Sequence, residues 1–395
     1  MKKLFCLLFC CFGGMALFAQ QQDVKEYPNE KTLYETLSKV EKKSDRFNFY
    51  LNMHTSFDAT WSHGDFSEAA FKMKQLRLEA KGNINDWIYY RWRQRLNRPN
   101  NGSGVMDNLP ASIDYAAVGF KATPQFSVFI GKQCATYGGF EFDLNPIEIY
   151  QYSDMVDYMS NFMTGVNFGY DFTPNQQLNF QVLDSRSAKF EDIYGNVEPG
   201  VKSTKASFVY TLNWNGGFFD NMLKTRWSAS VMSEAKKRNL YYYALGTELN
   251  AGPVNTFFDF MYSREALDRL GIVSTIINEN NPARPDKYTA FNTKYMSFVW
   301  KLNYRVNPYI NLFVKGMAEI EGLYKANVGA PAGRYRTAWG YLGGIEYYPM
   351  KQNLHFFLTF IGRTYDYAGR AKAMGWDNFS TQTISTGFIY QLQMF

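Results

Sequence analysis

The sequence predicts an all-β protein, a transmembrane antiparallel β-barrel of about sixteen strands with short periplasmic turns and long extracellular loops. Three observations lead to this fold class. Apolar and polar residues alternate with a period of two over stretches longer than most globular strands. Aromatic residues make up 18% of the 395 residues, yet the mean hydropathy is slightly polar. The connections between the alternating stretches are short and long in turn, as in outer-membrane barrels.

The N-terminus has the pattern of an export signal. Lys2 and Lys3 precede an apolar run, and residues 1–19 are predicted to be a signal peptide cleaved near Ala19. Residues 20–45 are predicted to form a short periplasmic segment with a helix, because apolar residues recur there at helical intervals.

Composition excludes several classes of protein. Loss of the signal would remove three of the four cysteines and leave Cys134, so the mature chain could form no internal disulfide. The formal charge of +6 would fall by two with the lysines of the signal, which is too small to indicate a nucleic-acid partner. No stretch after the signal reaches the roughly 18 apolar residues that a membrane helix needs.

The predicted barrel occupies residues 46–395, and its first strand shows the pattern most clearly. One face is predicted to meet lipid and the other the lumen. The lipid face carries Phe47, Phe49, Leu51, Met53, Phe57 and Ala59, and the lumen face carries Asn48, Tyr50, Asn52, His54, Ser56 and Asp58.

Residues typical of turns divide the rest of the chain into strands. Short turns are predicted at residues 82–85, 123–124, 173–175, 214–217, 250–253, 306–308 and 348–351, and long connections at 135–159, 188–200, 265–291, 323–334 and 368–381. Seven turns join fourteen strands, and the first and last segments bring the number to sixteen. Fourteen or eighteen strands stay open as alternatives, because residues 235–237 are a very short connection and 265–291 could contain further structure.

A row of arginines marks the predicted pore wall. In the segment IYYRWRQRLN, residues 88–97, Arg91, Arg93 and Arg95 alternate with aromatic and aliphatic residues. An arginine that faced lipid near mid-membrane would cost about 2–4 kcal/mol, so these three side chains are predicted to face the lumen. The preceding strand places Arg77, Glu79 and Lys81 beside them. Further inward cations expected from alternation are Lys205, Lys224, Arg226, Lys301, Lys315 and Arg363.

The segment 135–159 is predicted to be an acidic loop that folds into the lumen opposite this basic stripe. It contains Glu141, Asp143, Glu148, Asp154 and Asp157 but neither lysine nor arginine. Opposed charges would create a transverse field that sorts hydrated solutes by charge. Two plainer interpretations stay open: the acids solvate an exposed loop, or the arginines pair with Glu79 and the loop acids to hold the wall together.

Three segments give the chain its resemblance to a known family. They are FKMKQLRLEAKGNINDWIYYRWRQRL, IDYAAVGFKATPQFSVFIGKQ and NFMTGVNFGYDFTPNQQLNFQVLDS, within residues 46–190. They resemble the phosphate-selective porins of the O and P type from Gram-negative outer membranes. The resemblance implies a sixteen-stranded homotrimer, an inward third loop and a basic ladder that includes Arg77, Arg91, Arg93 and Arg95. The segment 131–139 and the loop acids depart from the family pattern, so phosphate selectivity is not carried over.

These patterns predict an outer-membrane porin, a passive diffusion channel for small hydrophilic solutes that would favour anions. Its predicted partners are outer-membrane lipid, small hydrophilic or anionic solutes and two further copies of the chain, with no cofactor and no metal. Predicted pore-lining or constriction residues are Arg77, Lys81, Arg91, Arg93, Arg95, Glu141, Asp143 and Glu148.

Three other functions remain open from the sequence. His54, Ser56 and Asp58 share one strand face, which leaves a barrel hydrolase acting on lipid as an alternative, although residues in a row do not converge as a catalytic triad must. A surface adhesin would use the outer loops, and a sugar channel would use rows of tyrosine and tryptophan.

Overall fold

The computed structural model describes residues 46–98, 107–350 and 353–394. The predicted signal peptide, the N-terminal segment and Phe395 lie outside the described residues. The strands are β1 Asn48–Ser62, β2 Asp65–Asn83, β3 Ile88–Arg95, β4 Ile113–Lys121, β5 Phe126–Cys134, β6 Phe162–Thr173, β7 Gln176–Asp184, β8 Phe208–Phe218, β9 Leu223–Ala235, β10 Arg238–Ala251, β11 Val254–Leu267, β12 Phe291–Asn307, β13 Ile310–Leu323, β14 Gly333–Tyr347, β15 Leu354–Tyr367 and β16 Phe379–Gln393.

Sixteen strands form one closed antiparallel barrel among the described residues, as the sequence predicts. Each strand pairs with its sequence neighbours, and β1 pairs with β16 from Tyr50 opposite Gln393 to Ser62 opposite Thr381. Closure gives every strand two partners, so no sheet edge exposes unpaired backbone groups to lipid. Within the described residues, no helix is both long and apolar enough to cross a membrane.

Connection lengths differ between the two ends of the barrel. At the end where β1 begins, all connections are short and occupy residues 84–87, 122–125, 174–175, 219–222, 252–253, 308–309 and 348–353. At the other end, 63–64 and 236–237 are two-residue turns, whereas 96–112, 135–161, 185–207, 268–290, 324–332 and 368–378 are long. The long connections mark the extracellular end.

One predicted turn is wrong. Strand β8 continues through residues 214–217 to Phe218, and the chain reverses at 219–222, where Phe219, Asp220 and Asn221 all have φ between 52° and 66°. The glycines in β8 serve close packing instead, because a Cβ atom on Gly216 would lie 2.7 Å from the Thr225 hydroxyl oxygen of β9.

Short helical segments lie in the extracellular loops. They are α1 Phe140–Asp143, a 3-10 turn Pro146–Glu148 and α2 Asp154–Tyr158 in the loop 135–161, α3 Phe190–Tyr194, α4 Ile272–Asn278 and α5 Gly369–Lys372. We call the loop 135–161 the constriction loop, because it folds into the barrel.

The constriction loop rests on an apolar core inside the barrel. Its buried side chains Phe140, Phe142, Ile147, Tyr150, Met155, Val156 and Met159 join inward-facing apolar residues of the wall and of α4. The wall contributes Met232, Tyr242, Phe257, Met261, Tyr295, Val299, Phe313, Met317, Phe357 and Ile361, and α4 contributes Ile272, Val273, Ile276 and Ile277. Strands β9 to β15 therefore carry apolar residues on their inner faces as well, next to inward-facing charged side chains, and the open cavity lies mainly on the side of β2 to β8.

Candidate pore constriction

The basic stripe lies where alternation predicts it. In the register of β2 with β3, Arg77 is opposite Arg95, Glu79 opposite Arg93 and Lys81 opposite Arg91. Like charges directly opposite each other destabilise a strand pair. The arrangement therefore needs acids that compensate the cations.

Asp114 on β4 is the main compensating acid. One of its carboxylate oxygens accepts hydrogen bonds from Arg77 Nη1 at 2.8 Å and Arg93 Nε at 3.1 Å, and the other lies 2.9 Å from Arg95 Nε. Its side chain is fully buried. One carboxylate thus serves three guanidinium groups, and the stripe keeps an excess of positive charge.

A β-bulge explains why Asp114 points inward. By simple alternation it shares the lipid-facing phase of Ala116 and Val118. The pairing shifts between Arg93 opposite Tyr115 and Gln94 opposite Ile113, which leaves Asp114 as the extra residue of β4. A β-bulge can turn a side chain to the opposite face of its strand in this way. Sequence alternation assigns this residue to the wrong face, and we know of no local signal that would have placed it.

Arg91 keeps part of its guanidinium group available to the lumen, with 33% of its side chain exposed, whereas the Arg93 side chain at the cavity wall is only 5% exposed. Glu79 accepts from Arg91 Nε at 2.8 Å, and Asp114 accepts from Arg93 Nε. No hydrogen bond among the described residues engages the terminal nitrogens of these two arginines, and both side chains line the cavity.

Aromatic rings lie against the guanidinium groups of the basic stripe. The Arg91 guanidinium carbon lies 3.9 Å from the ring centroid of Tyr115, and that of Arg93 lies 4.9 Å from the same ring. Phe162 of β6 approaches Arg93 at 5.4 Å and Arg95 at 5.8 Å. Cation–π contacts of this kind fix the orientation of an arginine without neutralising it.

The acids of the constriction loop pair with the wall on the far side, not with the stripe. Asp143 lies 2.7 Å from Arg226 Nε of β9. Glu141 accepts from Lys315 Nζ of β13 and from the Ser153 hydroxyl. The predicted opposition of an acidic loop and a basic stripe is therefore wrong for Glu141, which is buried against Lys315. Asp143 still lines the cavity together with the stripe, although its ion-pair partner is Arg226.

Two further acids of the loop complete this pattern. Asp154 accepts from Arg336 Nη2 at 2.6 Å and from Arg363 Nη2. The Glu148 Oε2 atom lies 3.7 Å from His355 Nε2. Burial and then the neighbouring Glu346 carboxylate raise the pKa of Glu148 to about 8, so its carboxyl group is mostly protonated near neutral pH.

A wall aspartate anchors the start of α1. The carboxylate of Asp259 on β11 accepts the backbone N–H of Phe140 at 2.8 and 2.9 Å and the backbone N–H of Glu141 at 2.8 Å. Gly138 and Gly139 approach it with φ of 74° and 80°, a conformation that favours glycine. The loop is therefore fixed to the far wall by backbone hydrogen bonds as well as by its apolar core.

Between the stripe and the loop lies a cavity of about 1170 Å³. Among the described residues, nine lysines and arginines line it against six aspartates and glutamates. The cations are Arg77, Lys81, Arg91, Arg93, Arg95, Arg98, Lys132, Arg186 and Arg226, and the acids are Glu79, Asp107, Asp143, Glu148, Asp157 and Asp184. Tyr152, Leu144 and Pro146 supply an apolar surface on the loop side.

The structure thus brings most of the predicted site residues to one cavity. Arg77, Lys81, Arg91, Arg93, Arg95, Asp143 and Glu148 line it. Glu141 does not, because it is 1% exposed and lies behind the loop against Lys315. Of the other predicted inward cations, Lys205 is an exposed residue of the loop 185–207 and not of the wall.

The row His54, Ser56 and Asp58 faces inward but is not assembled as a catalytic site. Asp58 accepts from the Ser385 hydroxyl and lies 2.9 Å from Lys74 Nζ. Within the described part of the chain, the His54 ring nitrogens and the Ser56 hydroxyl make no hydrogen bond of good geometry, so no base is aligned with the hydroxyl. In the same part of the chain, no group of three or more His, Cys, Asp or Glu residues could hold a metal ion.

Comparisons with known proteins agree with this architecture. A family model described as phosphate-selective porin O and P matches residues 47–392. No curated protein sequence matches the chain. Among solved structures, Salmonella typhi OmpF in complex with daunomycin has a TM-score of 0.57 at 13% identity, with 89% of this chain and 99% of that chain covered.

Two other structures are similar at the level of the fold. The outer-membrane channel DcaP of Acinetobacter baumannii has a TM-score of 0.54 at 12% identity and covers 89% of this chain and 99% of its own. An anion-selective porin from Comamonas acidovorans has a TM-score of 0.51 at 9% identity, with 88% and 99% covered.

Proposed function

Because the chain belongs to the phosphate-selective porin O and P family, we propose that it is a passive diffusion channel that favours small hydrophilic anions. As a member of this family, the protein is a channel of the outer membrane of Gram-negative bacteria. The proposal concerns its selectivity, its constriction residues and its assembly.

The excess of cations at the cavity carries the proposal. Nine basic side chains line it against six acidic ones among the described residues, and Glu148 is mostly neutral near pH 7. Fixed charges of one sign in a narrow aqueous passage raise the local concentration of ions of the other sign. Anions should therefore enter more readily than cations of the same size.

The experiment is the reversal potential of the purified protein in a planar bilayer under a KCl gradient. Replacement of Arg91, Arg93 and Arg95 by serine should move the reversal potential toward cation preference. Arg305→Ser is the matched control, because this arginine does not line the cavity and should leave the potential unchanged. A triple variant with the wild-type potential would contradict the role of the stripe.

We further propose that three copies assemble, as the family resemblance implies. A trimer in detergent would have three times the mass of one chain by light scattering and would dissociate on heating. A particle of one-chain mass would overturn this part of the proposal and leave the selectivity argument intact.

Among the residues that the structure describes, no contact specifically supports the alternatives of a lipid hydrolase or an adhesin. Release of fatty acid from lipid vesicles by the pure protein, abolished by Ser56→Ala, would favour the hydrolase over a channel without catalysis.

A further inference from the structure

We propose that the constriction cavity selects organic anions that combine a carboxylate with a flat apolar body, such as aromatic carboxylates. This inference rests on the proposed function and specifies its solute class. It follows from the composition of the two sides of the cavity: one is basic, and the other carries apolar side chains between its polar ones.

The basic side offers planar hydrogen-bond donors. Glu79 accepts a hydrogen bond from the Nε atom of Arg91, and the terminal nitrogens of Arg91 have no hydrogen bond among the described residues. Arg93 lies next to it but is buried, with 5% of its side chain exposed. The exposed fraction of the Arg91 side chain is 33%. A guanidinium group with both terminal nitrogens available binds a carboxylate through two parallel hydrogen bonds.

The loop side offers apolar surface in the same cavity. Leu144, Pro146 and Tyr152 of the constriction loop are half-buried and line the cavity. The Tyr152 phenol lies within electrostatic range of Arg77 and Arg93, so this ring is close to the stripe.

Two of the loop acids have basic partners of their own. Glu141 is turned away against Lys315, and Asp143 is held by Arg226. Asp157 remains as an exposed acid of the loop at the cavity. A solute that passes between the loop and the stripe therefore meets guanidinium groups on one side. On the other side it meets the apolar surface of Leu144, Pro146 and Tyr152, with the exposed acids Asp143 and Asp157 beside it.

The combination of a basic side and an apolar surface on the loop side should discriminate among anions. Inorganic phosphate and acetate can use the stripe but cover little of the apolar face. An aromatic carboxylate can do both, and removal of one ring face from water should strengthen its binding about tenfold over acetate. A neutral ring of the same size would lack the carboxylate and should bind weakly.

The experiment is block of the chloride current through single channels of the whole protein in a planar bilayer. Benzoate, cyclohexanecarboxylate, acetate, inorganic phosphate and benzyl alcohol are each added to one side. Benzoate should halve the current at a concentration about tenfold below that of acetate. Benzyl alcohol should not block.

A variant tests the loop side directly. Leu144→Ser combined with Tyr152→Ser should reduce the advantage of benzoate over acetate to less than about twofold and leave block by acetate and phosphate unchanged. Tyr152→Phe should keep the advantage. Val328→Ser is the control, because this loop side chain is 72% exposed and does not line the cavity.

The outcomes separate the two proposals. Equal block by benzoate and acetate in a wild-type channel that prefers chloride over potassium would overturn the organic-anion inference alone. A wild-type channel without preference for chloride would overturn the proposed function. The comparison of solutes on the wild-type protein needs no variant, so a loop variant that fails to fold does not prevent the test.

Discussion

Replacement of Asp114 by asparagine is the sharpest single test of how the stripe works. This buried carboxylate is shared by Arg77, Arg93 and Arg95. Asparagine keeps the shape and one acceptor but removes the charge, so the local balance of these four side chains changes from +2 to +3. The substitution should increase the preference for anions, which is opposite to the effect expected for serine at Arg91, Arg93 and Arg95.

The size of the effect follows from Coulomb's law. One added charge about 8 Å from a permeating ion in water corresponds to about 0.5 kcal/mol without salt. Screening at 0.1 M salt, with a Debye length of about 10 Å, roughly halves this value. Since the energy acts with opposite sign on anions and cations, the permeability ratio of chloride to potassium should rise about two- to sixfold.

The assay is the reversal potential in a KCl gradient together with the single-channel conductance. Loss of the Asp114 carboxylate also removes the buried acceptor that holds the three arginines in place, and breaking a buried ion pair typically costs about 3–5 kcal/mol of stability. The unfolding temperature should therefore fall while anion preference rises. Arg305→Ser again serves as the control for a charge change away from the cavity. An unchanged potential, or a shift toward cations, in a variant that still forms channels would refute the reasoning.

Three other substitutions test the surroundings of the cavity. Because the pKa of Glu148 is about 8, its carboxyl group gains negative charge as the pH rises from 7 to 9. The anion preference of the wild-type channel should therefore fall over this range, and Glu148→Gln should remove that fall. Reversal potentials at both pH values measure the effect. Asp259→Ala removes the acceptor for the backbone N–H groups of Phe140 and Glu141, and each charge-assisted hydrogen bond is worth about 1.5–3 kcal/mol. The current noise of the open channel should therefore increase, while the barrel still folds and shows a heat-dependent change of mobility in gel electrophoresis. Channels without added noise would show that the anchor is dispensable. Both polar atoms of Asn52 lack a hydrogen-bond partner among the described residues, so Asn52→Leu should leave the unfolding temperature unchanged or higher, and a marked decrease would reveal a partner of this side chain.

The barrel could be predicted from sequence because its signals are local. Alternation in β1 to β3 assigns lumen and lipid faces residue by residue, and the short turns lie at proline, glycine and asparagine in most cases. The turn at 219–222 does not follow from the sequence because Gly216 and Gly217 resemble a turn, whereas Gly216 lies close to Thr225 of β9 and Gly217 lies close to Asn221 of the actual turn. The turn itself is made by a phenylalanine, an aspartate and an asparagine in left-handed conformation.

The contacts of the constriction loop could not be predicted in the same way. Asp154 pairs with Arg363, 209 residues away, and Glu141 with Lys315, 174 residues away. Such partners depend on closure of the barrel and on the position of the loop. Alternation also fails to distinguish lipid from an internal core: Phe257 is 3% exposed inside the barrel, and its neighbour Phe258 is 43% exposed outside it.

The apolar core of the loop decides the electrostatics of the pore. Buried ion pairs come close to balancing their own desolvation cost, whereas each buried apolar side chain contributes about 1.5–3 kcal/mol. The core therefore sets which wall the loop lies against, and the ion pairs follow from that position. Because the loop lies against β9 to β15, Glu141 and Asp154 neutralise Lys315, Arg336 and Arg363 instead of the stripe. Had the loop rested on β2 to β4, its acids would have compensated the stripe, and the uncompensated cations would be Lys315, Arg336 and Arg363 on the other wall.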